Sequence, residues 1–329
     1  MSEEKRPREH VDCCEPEAIR RTLIDWYRRH GRDLPWRRPG TSAWAVMVCE
    51  VMSQQTPISR VLPRWKEWMQ RWPRVEDFAA AEVRDVLSAW DRLGYPRRAL
   101  NLHRCAQVVV SEYDGVIPRD VEELRRLPGC GDYTASAVAT FAYGEAVPVI
   151  DTNVRRVLAR VLGGVAAPAS STRRVDRERA VVLMPPAPGG KDRLSGTVED
   201  AVNDAVNGSV EWCSAIMEFG ALHCVARTPK CDECVISQWC RWRHHGYPML
   251  REGRQVPQAW HGTDRQLRGR VMAMLRAAHQ RKQSVVSIED AITAATDEHG
   301  DHARARRIIA ALESDGLIEI LDGAIAFPN

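Results

Sequence analysis

Lysine is scarce in this chain: among 47 basic residues only five are Lys (5, 66, 191, 230 and 282), which leaves 42 Arg. The skew is compatible with phosphate binding, because a guanidinium forks onto two oxygens where an ammonium is a point charge. Genome base composition produces the same skew, and a formal net charge of +3 lends nucleic-acid binding only weak support. No apolar run reaches membrane-spanning length, and the first fifteen residues are charged rather than leader-like. These absences exclude a membrane span and lead us to expect a cytoplasmic protein. There is no internal repeat, so the chain is not a repeat array. Six of the ten cysteines show no framework spacing, which argues against a disulfide scaffold. At 329 residues the chain holds two or three domains with ordinary cores.

The other four cysteines are a different matter. Cys224, Cys231, Cys234 and Cys240 lie within GALHCVARTPKCDECVISQWCRW, with gaps of six, two and five residues. Four thiolates that close can enclose one metal centre. Structural zinc usually takes two Cys-x-x-Cys knuckles, whereas only Cys231–Cys234 forms one here. An uneven run suits a cubane iron–sulfur cluster at least as well, and from spacing alone both readings stand.

Apolar residues recur at three- and four-residue spacing in Pro16–Arg29, Ile58–Arg71, Ala80–Leu93, Arg97–Tyr113 and Thr134–Tyr143, so the chain reads as mainly helical. Pro185–Gly208, rich in Gly, Pro and charge, is expected to loop out. After a second break near His244–Gly262, helical patterns at Arg265–His279, Ile288–Thr296 and Ala303–Asp315 precede a hairpin signal. That signal is Leu317–Leu321, Asp322–Gly323 and Ala324–Phe327. Three helices and a hairpin predict a small winged-helix-like module.

Three further features carry chemistry. Leu124–Thr134, LRRLPGCGDYT, places Gly129 and Gly131 where close backbone approach and positive φ are useful. A helix follows at once, and its free N–H groups suit a phosphate without reading any base. Ala43–Met52 is apolar except for Glu50; burial there would raise the carboxyl pKa and keep a proton available. Ser53–Gln54–Gln55–Thr56 follows, a polar run able to bond base edges. Asp151 sits at a helix start, where capping donors and the helix dipole are expected to keep it ionised. A neutral acid and a charged carboxylate are the pair that glycosidic cleavage requires. Each feature also has a plain structural reading, as a tight turn, a solvent-facing Glu or an ordinary N-cap.

LPGCGDYTASAVATFAYG followed by VIDTNVRRVLAR resembles the helix-hairpin-helix DNA glycosylases, and the cysteine run resembles their iron–sulfur loop. EVMSQQT, RDLPWR at Arg32–Arg37 and LGYPRRALNLH at Leu93–His103 narrow the resemblance to the MutY-type adenine glycosylases, over about Ala18–Tyr247. It implies an all-α, two-lobed helix-hairpin-helix glycosylase core with a [4Fe–4S] cluster loop, beside the small C-terminal winged-helix-like module. The implied organisation is a cluster lobe at 16–36 plus 148–245 and a six-helix lobe at 37–147. A linker at 246–262 and the C-terminal module at 263–329 complete it. The implied activity is removal of adenine mispaired with 8-oxoguanine or guanine in double-stranded DNA, by a monomer, with the base flipped into a pocket. On that pattern Glu50 protonates the adenine ring, Asp151 stabilises the oxocarbenium-like sugar, and Tyr133 and Asn153 support the site. Gln55 wedges into the stack with Gln54 and Tyr95 beside it. Leu127, Gly129 and Gly131 grip the backbone, and Cys224, Cys231, Cys234 and Cys240 hold the cluster. Arg227 and Lys230 become phosphate contacts.

The chain departs from the family in several places. Ser53 stands where Leu is usual, Pro96 where a second aromatic often follows Tyr95, and Thr152 replaces the usual Gly. The tail is too short for the Nudix-like domain that reads 8-oxoguanine. Tyr133 occupies the position where bifunctional relatives carry a Schiff-base Lys, which predicts an abasic site left uncut. Two other readings remain: a thymine glycosylase acting on T·G mismatches, and a non-catalytic, metal-bound DNA-binding protein.

Overall fold

Local chemistry sets the helix starts. Ser42, Asp120, Thr263, Ser287 and Asp301 each cap a helix by accepting from a backbone N–H in its first turn. The computed structural model describes residues 15–186, 198–248, 261–297 and 300–328, with backbone alone for 198–207. Its helices are α1 (Pro16–His30), α2 (Ala43–Ser53), α3 (Ile58–Arg71), α4 (Val75–Ala79), α5 (Val83–Trp90), α6 (Arg97–Glu112), α7 (Val121–Arg126) and α8 (Asp132–Tyr143). They continue with α9 (Thr152–Val161), α10 (Arg174–Val182), α11 (Val198–Leu222), α12 (Arg241–His244), α13 (Asp264–Gln280), α14 (Ile288–Ala295) and α15 (His302–Ser314). None of the described helices is long and apolar enough to cross a membrane.

The loop expected at Pro185–Gly208 is corrected for Val198–Gly208, which is the first half of α11. Val198, Ala201, Val202, Ala205 and Val206 recur at helical spacing, a pattern that the surrounding Gly and charge obscure. The rest of that stretch from 187 to 197, and 249–260 of the expected linker, lie outside the described residues.

The chain divides into two units, Met1–Asp33 with Ala139–Gly253, and Leu34–Val138 with Arg254–Asn329. The second is built on an aromatic core in which Trp68 meets Trp72, Phe78 and Trp90 at centroid distances of 5.1–5.6 Å. Four buried indole N–H groups find carbonyls: Trp44 on Trp72, Trp65 on Ala45, Trp68 on Ala89 and Trp90 on Gly94. These four rings are therefore buried with their donors satisfied.

The tail in this unit has winged-helix connectivity: α13, β1 (Val285–Ser287), α14, α15, β2 (Glu319–Leu321) and β3 (Ala324–Ala326). The three strands pair antiparallel in the order β1-β3-β2, and Gly323 takes φ +69° in the β2–β3 turn. Strand β1 is too short, and too alternating in exposure, to announce itself in sequence.

In the first unit α1 and α9 pack on α11. Arg155 of α9 is buried with Asp176 of α10 (Nε–Oδ2 3.0 Å; side chains 7% and 4% exposed) and also donates to the Ala169 and Ser171 carbonyls. Removing one member of such a pair strands a buried charge. Asp176→Ala is expected to cost about 3–5 kcal/mol in urea unfolding, while Glu178→Ala, which breaks the exposed Arg174–Glu178 pair, costs under about 1 kcal/mol. Equal midpoints for the two variants would contradict this account.

Candidate active site and cysteine loop

Helix α2 buries every residue from Trp44 to Met52, so its single charge, Glu50, has nowhere polar to go along the helix. Glu50 is only 7% exposed, and the Tyr133 hydroxyl donates to its Oε2 at 2.8 Å. One turn later Gln54 Nε2 donates to the Thr134 hydroxyl at 3.2 Å. The start of α8 therefore meets the end of α2 at two successive residues. Tyr133 fixes one carboxyl oxygen of Glu50 in place, which no spacing rule reveals across 83 residues.

The segments around these side chains are irregular, and one guanidinium holds them. Arg98 donates to the carbonyls of Val51, Met52, Gln54, Leu93 and Gly94 and to the Thr56 hydroxyl, at 2.7–3.1 Å. Burial lowers its pKa to about 10, so it remains charged at neutral pH. Gln55 is exposed with φ +54°, and Tyr95 is 43% exposed with φ +48°. Left-handed backbone at two non-glycine residues costs energy that the surroundings must offset.

In the hairpin between α7 and α8, Gly129 has φ +75°, and a Cβ there would lie 2.7 Å from Asn101 Cβ. Gly131 does not need to be glycine on either ground: its φ is not positive and the space beside it is open. Leu127 is 2% exposed, so its side chain packs inward, while Gly129 and Gly131 are exposed at that turn.

Asp151 caps α9, accepting from Val154 N and from Asn153 Nδ2, both at 2.6 Å. Its carboxyl nevertheless sits above the ordinary Asp range, because burial outweighs these donors. That corrects the expectation that capping keeps this group easily ionised. Thr152 points to solvent and leaves the cap undisturbed. Asn153 Oδ1 in turn accepts from Arg156, which also reaches the carbonyls of Gly220 and Cys224. Gly220 comes so close that a Cβ would lie 2.9 Å from both Asn153 Cβ and Asn153 O. Sequence reasoning missed Arg98, Arg156 and Gly220, and also Glu218. Glu218 is fully buried and accepts from Arg32 Nε at 2.6 Å and Nη2 at 2.9 Å.

Cys224 follows α11, Cys231 and Cys234 flank a tight turn, and Cys240 precedes α12. Buried Arg160 threads this loop. It donates to Cys224 Sγ at 3.2 Å and to the carbonyls of Cys224, Val225 and Ala226, and it stacks on Trp242 at 4.7 Å. Burial and mutual repulsion push the Cys234 thiol up to about 12 and raise Cys231 and Cys240. A thiolate set of this kind calls for a cationic core. The run has one Cys-x-x-Cys pair where structural zinc usually takes two, and four thiolates are the donor set that a cubane takes. The donors fit an iron–sulfur cluster. Arg227 and Lys230, on the same loop, are exposed. Arg160→Met keeps side-chain bulk but removes the donor to Cys224, and should lower iron content and speed oxidative bleaching of the visible absorption; wild-type values for both would contradict this.

Residues 48–182 match the family described as HhH-GPD superfamily base excision DNA repair protein, and residues 224–240 match the iron-sulfur binding domain of endonuclease III. The chain is 45% identical to an adenine DNA glycosylase of Mycolicibacterium smegmatis, over 92% of this chain and 94% of the relative. It is 44% identical to that of Mycobacterium tuberculosis (93% and 92%) and 38% identical to the human adenine DNA glycosylase, over 70% of this chain and 40% of that one. A thermostable thymine-DNA glycosylase superposes with a TM-score of 0.58 at 25% identity, covering 70% of this chain and 97% of that one. An endonuclease III–DNA complex superposes with 0.54 at 22%, over 71% and 98%, and shares the fold. Near-full-length identity to the mycobacterial proteins, together with the helix-hairpin-helix core and the iron–sulfur ligand set, places the chain in the adenine DNA glycosylase family.

Proposed function

We propose that this adenine DNA glycosylase excises adenine mispaired with 8-oxoguanine or guanine in duplex DNA, acting as a monomer and leaving the abasic site uncut. The observation that carries this reading is Glu50, a carboxyl enclosed in an apolar helix and held through one oxygen by Tyr133. Glu50 protonates the adenine ring, which turns a poor leaving group into a good one. Asp151, ionised, stabilises the oxocarbenium-like sugar until water attacks. Asn153 orients Asp151, and Tyr133 cannot form the imine by which a lysine would cut the strand. Gln55 enters the stack beside Gln54 and Tyr95, while the Leu127–Gly131 backbone, Arg227 and Lys230 hold phosphates.

The [4Fe–4S] cluster holds the loop carrying Arg227 and Lys230, so Cys224, Cys231, Cys234 and Cys240 serve the interface rather than the bond-breaking. The thymine reading shares the hairpin, the cysteine loop, Tyr133 and Asp151 and has the structural likeness beside them, whereas Glu50 with Gln54–Gln55 and the 45% identity to an adenine enzyme favour adenine.

Single-turnover excision on A·8-oxoguanine, A·G and T·G duplexes tests this. Glu50→Gln should lose about 10²–10⁴-fold and Asp151→Asn about 10²–10³-fold on the adenine mispairs. Cleavage of T·G alone, or full activity in Glu50→Gln, would overturn the reading. Asp151 acts ionised, so activity falls as pH drops through its pKa, which burial has already raised. Asn153→Leu removes a donor that favours the charged form, so the acid limb of the rate profile should move to higher pH. An unmoved limb would show that Asp151 does not set it.

A further inference from the structure

The turn from Asp91 to Tyr95 takes positive φ at three of its five residues, +46° at Asp91, +79° at Gly94 and +48° at Tyr95, and is strained at the two that are not glycine. Arg98 and Trp90 secure it from the core side through the Leu93 and Gly94 carbonyls. The C-terminal module secures it from the other end of the sequence. Arg276 of α13 lies 3.8 Å from Asp91, and Asp315, at the end of α15, pairs with Arg97 at 3.2 Å and with Arg268. On the first turn of α13 the Arg265 guanidinium stacks on the Tyr95 ring, 4.9 Å from its centroid. His279, further along α13, binds Asp85 at 2.9 Å. Arg265 and Arg276 thus reach the segment that carries Tyr95 directly, Arg268 reaches Arg97 just beyond it through Asp315, and His279 reaches α5. Arg98 also lies over that ring, 5.8 Å from its centroid, so the half-exposed ring meets two guanidinium groups, and the nearer one comes from the winged module.

We propose that Arg265 is a positioning residue for mispair recognition, holding the Tyr95 ring in the pose from which the turn meets DNA. On this view the winged module contributes to discrimination through Tyr95, without reading a base itself. The inference rests on the reading that Tyr95 contacts DNA, and the experiment separates the two.

Full-length, cluster-loaded protein is compared as wild type, Tyr95→Ala, Arg265→Ala, Arg265→Lys and the double variant Tyr95→Ala/Arg265→Ala. The readouts are the Kd for duplexes carrying a non-cleavable adenine analogue opposite 8-oxoguanine or guanine, and the single-turnover rate at saturating enzyme. Arg265→Ala should weaken binding about two- to thirtyfold, the range that a cation–π contact supports, and should narrow the preference between the two duplexes. Its effect should be larger on Kd than on the saturated rate. Arg265→Lys, which keeps a cation over the ring, should recover most of the loss, and the double variant should be no worse than Tyr95→Ala. A Tyr95→Ala protein that binds like wild type would refute the role of Tyr95 in DNA contact. If Tyr95→Ala is impaired but Arg265→Ala is not, or if the two losses add, that role stands and the inference about Arg265 falls; additivity would mark a direct phosphate contact. Arg265 is exposed on the first turn of α13, and an unchanged melting midpoint for Arg265→Ala excludes unfolding. Should alanine unfold the module, Arg265→Gln supplies the same comparison with the side-chain length kept.

Discussion

Irregular backbone can carry a site only if its carbonyls are satisfied, and here buried guanidinium groups satisfy them. Arg98 makes six hydrogen bonds to the segments on either side of it, from Val51 to Thr56 and at Leu93–Gly94. A lysine has three donors without a planar fork and could not span this set. The charge makes each bond stronger, and the low polarity around it makes each harder to replace with water. Without Arg98, the tie between the segment after α2 and the Leu93–Gly94 turn would fall to the Thr56 hydroxyl, which donates to the Leu93 carbonyl. The arginine-rich composition that opened as an ambiguous bias is thus partly accounted for inside the protein.

The same device recurs in the other unit. Arg156 and Arg160, one turn apart on α9, satisfy the carbonyls around Cys224, while Asp151 caps the start of the same helix. Asp151, Asn153, Arg156 and the backbone at Gly220 and Cys224 form an unbroken series of contacts. The cluster loop and the carboxylate are therefore held by one helix. Loss of the cluster would remove partners of Arg156 and Arg160 and so disturb the capped end of α9 as well.

Much of this was legible in sequence where the information is local. The period of Ile58–Arg71 marks α3 to the residue, the four cysteines mark their loop, and the isolation of Glu50 in an apolar run marks its burial. What was not legible depends on residues far apart. The Tyr133–Glu50 bond links positions 83 apart, and the carbonyls that Arg98 collects carry no side-chain signature at all. The Asp151 expectation was incomplete because capping donors can be read locally, whereas the burial that raises its pKa comes from tertiary packing. Gly131 looked as necessary as Gly129, but only the backbone angle and the nearness of Asn101 distinguish them.

Gly220 has no side chain, yet it governs how closely α11 approaches Asn153. Because the atoms in the way include backbone, a methyl group there could not be accommodated by a rotamer change; α11 or the first turn of α9 would have to give way. Position 220 is thus a mechanical tolerance for the carboxylate cap. Because Arg156 donates both to the Gly220 carbonyl and to Asn153, a shift there would be passed on to the side chains that hold Asp151.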